Sequence, residues 1–311
     1  MLETSLSRKG LLSLIDEFLL VQRVKGNSPP TLRYYQTSLK MFSDFLGSSA
    51  TVEEVTVQRC REYYLYVADQ DLSSVSVQSY IRALRAFLKW LYDEEIISSD
   101  ICAKFKLPKA TRKVIDVLTD YEIRAVYITL AGNDLAAVRN QLIIALMLDS
   151  GLRLHEVVSL TVSSVHLAER YLIVQQGKGN KQRVVPFGNV TAGLLERYFK
   201  MTSFSPFRDP LIIKVSNVGQ IEPVTDNTIK QMFRKLKKRS GISRLHPHLL
   251  RHTFATRYLE NGGNIYSLQA ILGHSSLEMV KRYLHLANTR IRADFPQFSP
   301  LDNIKKDYPG M

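Results

Sequence analysis

Six side chains in the second two-thirds of the chain are of the types needed to attack a phosphodiester without a metal ion. Arginine, lysine and histidine can neutralise a phosphate during reaction and move protons, and a tyrosine hydroxyl can be the nucleophile. A single short motif containing one of these residues would mean little, but five such motifs in a fixed order constrain one another. The motifs are SGLRLHEVVSL with Arg153, GKGNKQR with Lys178, HPHLLRH with His248 and Arg251, LGHSS with His274, and VKRYLHL with Tyr283.

The surroundings of Arg153 and Lys178 suit phosphate chemistry. Arg153 follows a Ser-Gly turn and opens a predicted helix, where free backbone N–H groups add positive potential. Glu156, one turn further on, could pair with this guanidinium or hold it in place for phosphate. Lys178 lies between glycines in a predicted hairpin turn, from which its ammonium could donate a proton to a leaving oxygen. Taken alone, Arg153 would more often be an exposed or salt-bridged residue and Lys178 an ordinary turn residue.

His248 and Arg251 are three residues apart and therefore share one face of a predicted helix. Arg251 could bind a second non-bridging oxygen from there, and His248 could act as general acid or base near neutral pH. His274 follows a glycine in a turn between helices and is available as a donor to phosphate. The spacing HPHLLRH is not a zinc motif and has no carboxylate or cysteine nearby, so no metal site is predicted.

The tyrosine is selected by its position, because the chain has 15 tyrosines and residue type alone decides nothing. Tyr283 follows His274 by nine residues and has basic neighbours, among them Arg282. Tyr258 and Tyr266 are the nearest competitors. The sequence therefore predicts Tyr283 as the nucleophile of the site.

The charge of the chain is unevenly distributed. The net charge is +13, yet residues 1–110 contribute only +1 and residues 111–311 contribute +12. The excess thus lies in the part that carries the motifs. A polyanionic partner such as nucleic acid explains this distribution, and a basic surface kept for solubility is the alternative.

Composition argues against a membrane or secreted protein. No stretch of 18 apolar residues is present, and the apolar N-terminal segment contains Glu3, Asp16 and Glu17, which suit an amphipathic helix better than a signal peptide. Cys60 and Cys102 form no metal spacing and are interpreted as reduced, structural residues of a cytoplasmic protein.

The apolar periodicity predicts two domains joined by a linker. Residues 1–97 form a four-helix module, residues 98–112 a basic linker, and residues 113–311 a mainly helical domain with a small antiparallel sheet. In the first domain the predicted helices cover 11–24, the segment between Thr31 and Gly47, 57–69 and 74–94. In the second, helices are predicted at 135–149, from about Arg153, and at 191–201, 227–239, 248–260, 264–272 and 276–285, with strands at 171–176 and 182–187 around a Gly-Lys-Gly-Asn turn.

The motifs resemble those of the tyrosine recombinases, also called the phage integrase family, and most closely the short Xer-like and transposon integrase members. The patterns SGLR-x-x-E-x-x-x-L, GKG-x-K-x-R-x-V-P, H-x-L-R-H-T-F-A-T and LGHSS, followed by the tyrosine, carry the resemblance, which covers nearly the whole chain. The resemblance implies a helical, SAM-like core-binding domain and an α+β catalytic domain with a C-terminal docking tail. Together these would form a C-shaped clamp on DNA.

The resemblance also implies a mechanism. Tyr283 would form a 3′-phosphotyrosine and release a 5′-hydroxyl, with Arg153 and Arg251 on the non-bridging oxygens. Lys178 would be the acid for the 5′-oxygen, His248 would assist proton transfer at the tyrosine, and His274 would hydrogen-bond the phosphate. Because the covalent link conserves the bond energy, no cofactor or metal is needed.

The expected partner is double-stranded DNA with inverted-repeat core sites, handled in the cytoplasm beside the nucleoid. Four copies, or this chain with a related recombinase, would act on two duplexes through a Holliday junction, and no membrane is involved. Six basic residues outside the catalytic set are expected to contact DNA; they are Arg82, Arg85 and Lys89 on one stripe of the fourth helix, and Lys181, Arg183 and Arg282.

Three other functions are compatible with parts of the pattern. A type IB topoisomerase-like enzyme would use the same tyrosine and cations to nick and reseal DNA without strand exchange. A non-catalytic DNA-binding regulator would have no need of the tyrosine, so the complete set argues against it. A metal-dependent nuclease would be sensitive to EDTA and would form no covalent adduct.

Overall fold

The computed structural model divides the chain into two compact units, Met1–Lys113 and Val114–Met311. Among the helices it describes, none is long and apolar enough to cross a membrane. The structure describes residues 10–47, 49–105, 116–176, 181–202, 209–216, 219–273 and 280.

The first unit is helical, and its helices begin where the sequence places capping residues. Thr56 and Ser73 each accept a hydrogen bond from a backbone N–H of the first turn that follows them. The predicted start of the second helix after Thr31 is wrong, because the helix begins at Pro29 with Ser28 as its N-cap. Proline is well suited to a first turn, where its missing N–H has no partner to lose. The helices are α1 (Leu11–Val24), α2 (Pro29–Leu46), α3 (Val57–Ala68), α4 (Ser74–Asp93) and the short α5 (Ile101–Lys104).

Aromatic side chains form the centre of the first unit. Phe18 of α1 is fully buried and packs edge-on against Tyr35 and Phe87, with Trp90 tilted against it. Such contacts join α1 to α2 and α4, so apolar burial holds the helices together. Cys60 is also buried here, and burial raises the pKa of its thiol to about 12.

The second unit surrounds an almost wholly apolar helix, and its helix starts also follow the sequence. Thr119 and Glu122 form a reciprocal capping box. The helix Asp226–Ser240, whose last turn is basic, ends at Gly241, which adopts a left-handed conformation with φ of +74°. The helices are α6 (Asp120–Thr129), the central α7 (Leu135–Leu148), α8 (Leu154–Ser159), α9 (Asn189–Met201), α10 (Asp226–Ser240), α11 (Pro247–Glu260) and α12 (Ile265–Leu272).

A three-stranded antiparallel sheet in the order β1–β2–β3 lies beside these helices. Its strands are β1 (Val165–His166), β2 (Tyr171–Gln176) and β3 (Lys181–Pro186), and β4 (Ile213–Val215) pairs with β5 (Ile221–Pro223) in a second small sheet. The buried face of the larger sheet carries Leu172, Val174 and Val185, and it also carries Arg183 opposite Val174. A charged residue on this face requires a buried partner.

The predicted fold, mainly helical with a small antiparallel sheet, is confirmed, and the second sheet, β4–β5, is not predicted from the sequence. Most helix ends lie within two residues of their predicted positions. Strand β3 begins at Lys181, one residue before the prediction. The predicted turn at 177–180 lies outside the described residues. Of the predicted helix at 276–285 only Val280 is described, and it is helical and buried.

Truncation of Phe18 to alanine should destabilise the first unit by about 3–5 kcal/mol, because the change opens a cavity among buried rings. Leu20→Ala on the same helix removes a side chain that is 59% exposed and should cost less than about 0.5 kcal/mol. Urea unfolding followed by the fluorescence of Trp90, the one tryptophan of the chain, measures both changes in this unit. Equal shifts for the two variants would contradict the packing described here.

Candidate active site

A buried glutamate is the centre of the predicted site. Glu156 is 2% exposed and lies in the first turn of α8. Its Oε1 accepts hydrogen bonds from Arg153 at 2.9 Å and from Arg183 at 3.0 Å. Its Oε2 accepts from Arg183 at 2.8 Å and lies 3.9 Å from a guanidinium nitrogen of Arg251. Three arginines distant in the sequence thus converge on one carboxylate.

The same arginines bind the C-terminal end of α12. The carbonyl of Ile271 accepts from Nε of Arg183 at 2.7 Å. The carbonyl of Leu272 accepts from Arg251 at 2.7 Å and from Arg153 at 3.4 Å. The last carbonyls of a helix have no partners within it and carry the negative end of its dipole, so cations stabilise them. The arginine cluster therefore fixes the point at which the chain leaves α12 toward His274.

Local backbone geometry places Arg153 at the start of α8. Its N–H donates to Oε2 of Glu156 at 2.8 Å, which closes a capping box across the first turn. Two residues earlier, Gly151 adopts φ of +65°, and its carbonyl accepts from Arg251 at 2.5 Å. A Cβ at this position would lie 2.4 Å from the ring of Phe254. The Ser-Gly turn therefore needs glycine for both its conformation and its space.

The four charged side chains described at this site carry unequal charge. One carboxylate faces three guanidinium groups, so these four side chains together have a net charge of +2. Burial works to raise the pKa of Glu156, but the hydrogen bonds and charges of Arg183 and Arg153 outweigh it and lower the pKa to about 2. Glu156 is therefore ionised at neutral pH, and the surplus positive charge is suited to a phosphate.

The two arginines predicted to bind phosphate differ in exposure. The side chain of Arg153 is 27% exposed, whereas that of Arg251 is 5% exposed. Arg153 is thus the more accessible of the two, and Arg251 is held deeper between the Gly151 and Leu272 carbonyls.

His248 lies one turn before Arg251 on α11, and its side chain is at the surface. Partial burial of the ring lowers its pKa, and the nearby charges of Arg251, His246, Arg153 and His155 act in the same direction. The imidazole is therefore mostly neutral at neutral pH, as a proton acceptor must be. The structure brings Arg153, Arg251 and His248 into one electrostatic neighbourhood.

Four of the predicted site residues lie outside the described residues. These are Lys178, His274, Tyr283 and Arg282. Lys181 is described only as the first residue of β3, without its side chain. Their predicted roles remain predictions.

The predicted DNA-contacting stripe on α4 contains three residues in different environments. Arg82 and Lys89 are exposed, with Arg82 bonded to Gln78 and Lys89 paired with Asp93 at 2.7 Å. Arg85 is half-buried and donates to the backbone carbonyls of Cys102 and Phe105. It thus anchors the segment around α5, and the other two are the more accessible cations of the stripe.

Arg183 is not at the surface, although the sequence analysis assigned it to DNA. Its side chain is 6% exposed and faces Glu156 from the buried side of β3. The strand pattern contains this signal, because Arg183 alternates in phase with the buried residues Val185 and Phe187. From the sequence, Glu156 is expected only as a partner of Arg153, and its pairing with Arg183 of β3 is not predicted.

A metal site would require several ligating side chains close together. Within the part of the chain that the structure describes, no group of three or more histidine, cysteine, aspartate or glutamate residues could hold a metal ion.

Two domain families match the chain. The Phage integrase family matches residues 116–290, which is more than half of the chain, and the phage integrase N-terminal SAM-like domain matches residues 15–95. A tyrosine recombinase XerD of Halalkalibacterium halodurans is 31% identical over 92% of this chain and 97% of its own length. The chain therefore belongs to the phage integrase family, and it is a site-specific recombinase of the tyrosine type.

Solved structures show the same fold at lower identity. The Tn1549 transposon integrase in complex with transposon right end DNA is 19% identical, with a TM-score of 0.73 over 92% of this chain and 99% of that one. A lambda integrase tetramer bound to a Holliday junction is 20% identical, with a TM-score of 0.68 over 86% of this chain and 78% of that one. These likenesses confirm the predicted combination of a helical N-terminal domain with an α+β catalytic domain.

Replacing Gly151 with alanine should destabilise the second unit, because the new Cβ would overlap the Phe254 ring. Gly241→Ala is the matched control, since Gly241 has φ of +74° and open space around its Cβ position. The control should cost about 1–2 kcal/mol from backbone strain alone. Gly151→Ala should cost a further ~1–3 kcal/mol from overpacking. Urea unfolding followed by circular dichroism measures both, and equal losses would show that the close contact with Phe254 has no energetic weight.

Glu156→Gln should change how stability depends on acid pH. A carboxyl whose folded pKa is near 2, against 4.5 unfolded, stabilises the protein fully above pH 4.5, and this contribution is lost as pH falls toward 2. The variant lacks the contribution, so its deficit relative to wild type should be largest at neutral pH and shrink below pH 4.5. Thermal unfolding over this range measures the difference, with exposed Glu169→Gln as the control for loss of one negative charge. A deficit that stays constant with pH would contradict the low pKa of Glu156.

Proposed function

We propose that this enzyme cuts and rejoins DNA through a 3′-phosphotyrosine formed by Tyr283, with Arg153 and Arg251 on the non-bridging oxygens of the scissile phosphate. The observation that carries the proposal is the convergence of these two arginines on Glu156 and on the carbonyl of Leu272. Positive groups fixed in advance stabilise the charge that develops on phosphorus oxygens in the transition state.

The proposed reaction begins with attack by the tyrosine. The Tyr283 oxygen forms a bond to phosphorus, and the bond from phosphorus to the 5′-oxygen breaks. Lys178 gives a proton to that oxygen, and His248 accepts the proton of the phenol, which suits its lowered pKa. His274 hydrogen-bonds the phosphate. A 5′-hydroxyl from the second duplex then attacks the phosphotyrosine, releases Tyr283 and rejoins the strand, so no cofactor is consumed.

We further propose that four protomers act together on two duplexes with inverted-repeat core sites. The lambda integrase tetramer on a Holliday junction has the same fold and supports this assembly by analogy. A related recombinase could supply half of the protomers, and the segment after Tyr283 would dock on a neighbour. With double-stranded DNA as its substrate, the enzyme would act in the cytoplasm beside the nucleoid.

Residues 1–97 are proposed as the core-binding domain, 98–112 as the linker and 113–311 as the catalytic domain, and the two domains would clamp the duplex. Arg82 and Lys89 on α4 are the proposed phosphate contacts of the first domain, because both are exposed. Lys181 and Arg282 are proposed contacts of the second. Arg85 would contribute to DNA binding indirectly, by holding the segment around α5 through its hydrogen bonds to the Cys102 and Phe105 carbonyls.

A nicked suicide substrate tests the chemistry. The recognition site is first recovered from a random duplex library by selection for binding, and a nick beside the scissile phosphate then traps the covalent intermediate. Wild type should give a covalent protein–DNA band and Tyr283→Phe should give none, because the phenol oxygen is lost. Tyr266→Phe, which alters a tyrosine that is 65% exposed, is the control and should behave as wild type.

A band of equal strength from Tyr283→Phe would reject this tyrosine as the nucleophile. Relaxation of a plasmid that lacks the selected site, without recombinant products, would instead favour a topoisomerase-like enzyme. A cleavage reaction that EDTA abolishes and that leaves no covalent adduct would favour a nuclease.

A further inference from the structure

Arg183 occupies the centre of the arginine cluster without facing solvent. It is on the buried side of β3, between the exposed residues Gln182 and Val184. Each part of its guanidinium has a partner: Nε donates to the Ile271 carbonyl at 2.7 Å, and the two terminal nitrogens donate to the two oxygens of Glu156 at 3.0 and 2.8 Å. Such two-point pairing is the strongest geometry available to an arginine and a carboxylate.

The pairing determines how much of Glu156 is left for the other arginines. A buried carboxylate is stable only when it is paired, so some cation must satisfy it. The guanidinium of Arg183 binds both of its oxygens, whereas the guanidinium of Arg153 bonds to one of them and that of Arg251 remains 3.9 Å away. Arg153 and Arg251 are the other described cations beside this carboxylate, so in the absence of Arg183 its charge would draw these two guanidinium groups toward it. Those are the groups proposed to bind phosphate.

We propose that Arg183 is a positioning residue for strand cleavage: it holds Glu156 by both oxygens and thereby leaves Arg153 and Arg251 available to the scissile phosphate. This inference rests on the phosphate-binding roles proposed above. The hydrogen bond from Arg183 to the Ile271 carbonyl also constrains the end of α12. The next carbonyl, that of Leu272, accepts from both arginines that are proposed to bind phosphate. Arg183 thus acts on the reaction through other residues and makes no contact with DNA.

Positioning and DNA contact have different experimental signatures. Loss of a phosphate contact weakens binding and lowers the slope of log affinity against log salt by about 1. Loss of a positioning residue leaves the affinity and the salt slope unchanged and slows the chemical step. A displacement of about 1 Å in the reacting groups can cost on the order of 100-fold in rate.

The test compares Arg183→Gln, Arg183→Lys, Glu156→Gln and the double variant Arg183→Gln/Glu156→Gln in single-turnover cleavage of the suicide substrate at saturating protein. Arg183→Gln should cleave on the order of 100-fold more slowly than wild type, with unchanged affinity and salt slope. Arg183→Lys should cleave at a rate between those of wild type and Arg183→Gln, because lysine keeps the positive charge but cannot bind both carboxylate oxygens in the two-point geometry. Arg197→Gln, which removes a guanidinium bonded to Asn133 at the surface, controls for loss of positive charge and should cleave at the wild-type rate.

The double variant distinguishes positioning from a general structural defect. If an unpaired Glu156 is what withdraws Arg153 and Arg251, removing its charge should make the double variant at least about tenfold faster than Arg183→Gln alone, a clear departure from additivity. Intact DNA affinity in the same samples shows that the variants are folded.

Three outcomes would overturn the inference. Weaker binding and a lower salt slope for Arg183→Gln, with a normal rate at saturation, would make Arg183 a DNA contact. A double variant no faster than Arg183→Gln would exclude competition for Glu156, and a wild-type rate for Arg183→Gln would exclude any positioning role. Absence of a covalent band from wild type would instead refute the proposed function, so the two failures are distinguishable.

Discussion

The pairing of one buried carboxylate with three arginines is the constraint on which the rest of the site depends. Glu156 is ionised and almost wholly removed from water, a state that is unfavourable unless nearby cations compensate it. The compensating side chains come from the N-cap of α8, from β3 and from α11. Folding must bring these three elements together to satisfy the carboxylate, so the stability of the catalytic domain and the geometry of its site share one cause. Any change that leaves Glu156 unpaired should therefore lower the stability of the domain and also disturb the geometry of its site.

The end of α12 is the second half of this arrangement. The carbonyls of Ile271 and Leu272 are left without partners by the helix and receive donors from the same three arginines. Carbonyl oxygens carry only a partial negative charge, so they orient the guanidinium groups without neutralising their positive charge. The cluster therefore keeps a net positive charge while its members are fixed by hydrogen bonds. A site filled with arginines alone would repel itself, and a site with one carboxylate for each arginine would have nothing left for a phosphate.

Much of this could be predicted from the sequence, because local signals define helices and strands. Apolar spacing gave the helices to within two residues in most cases, and the motif order identified the family. The predicted start of the second helix, after Thr31, is too late because Pro29 lies in the first turn of α2, where proline is favoured. The sequence predicts a DNA contact for Arg183, a basic residue that ends the motif GKGNKQR around Lys178. Arg183 alternates with the exposed residues of β3, which indicates that its side chain is on the buried face of the strand. The alternation does not reveal which distant residue Arg183 contacts there. The partner, Glu156, is 27 positions away in sequence, and that pairing exists only in the folded chain.

The unequal exposure of the arginines bears on how the proposed chemistry would be confined to one phosphate. Arg183 and Arg251 are nearly buried and held by hydrogen bonds, so they are fixed before any ligand binds. Arg153 is the most exposed of the three, so in the proposed reaction a phosphate would approach it first. A duplex that contacts only exposed lysines and arginines gains affinity at any sequence, since such contacts are insensitive to base identity. In the proposed reaction a phosphate would gain the additional field of the deeper arginines only where it enters the cluster. Because these groups are already fixed by hydrogen bonds, they would require no reorganisation as charge develops on the phosphate, and their stabilisation would be greatest in the transition state.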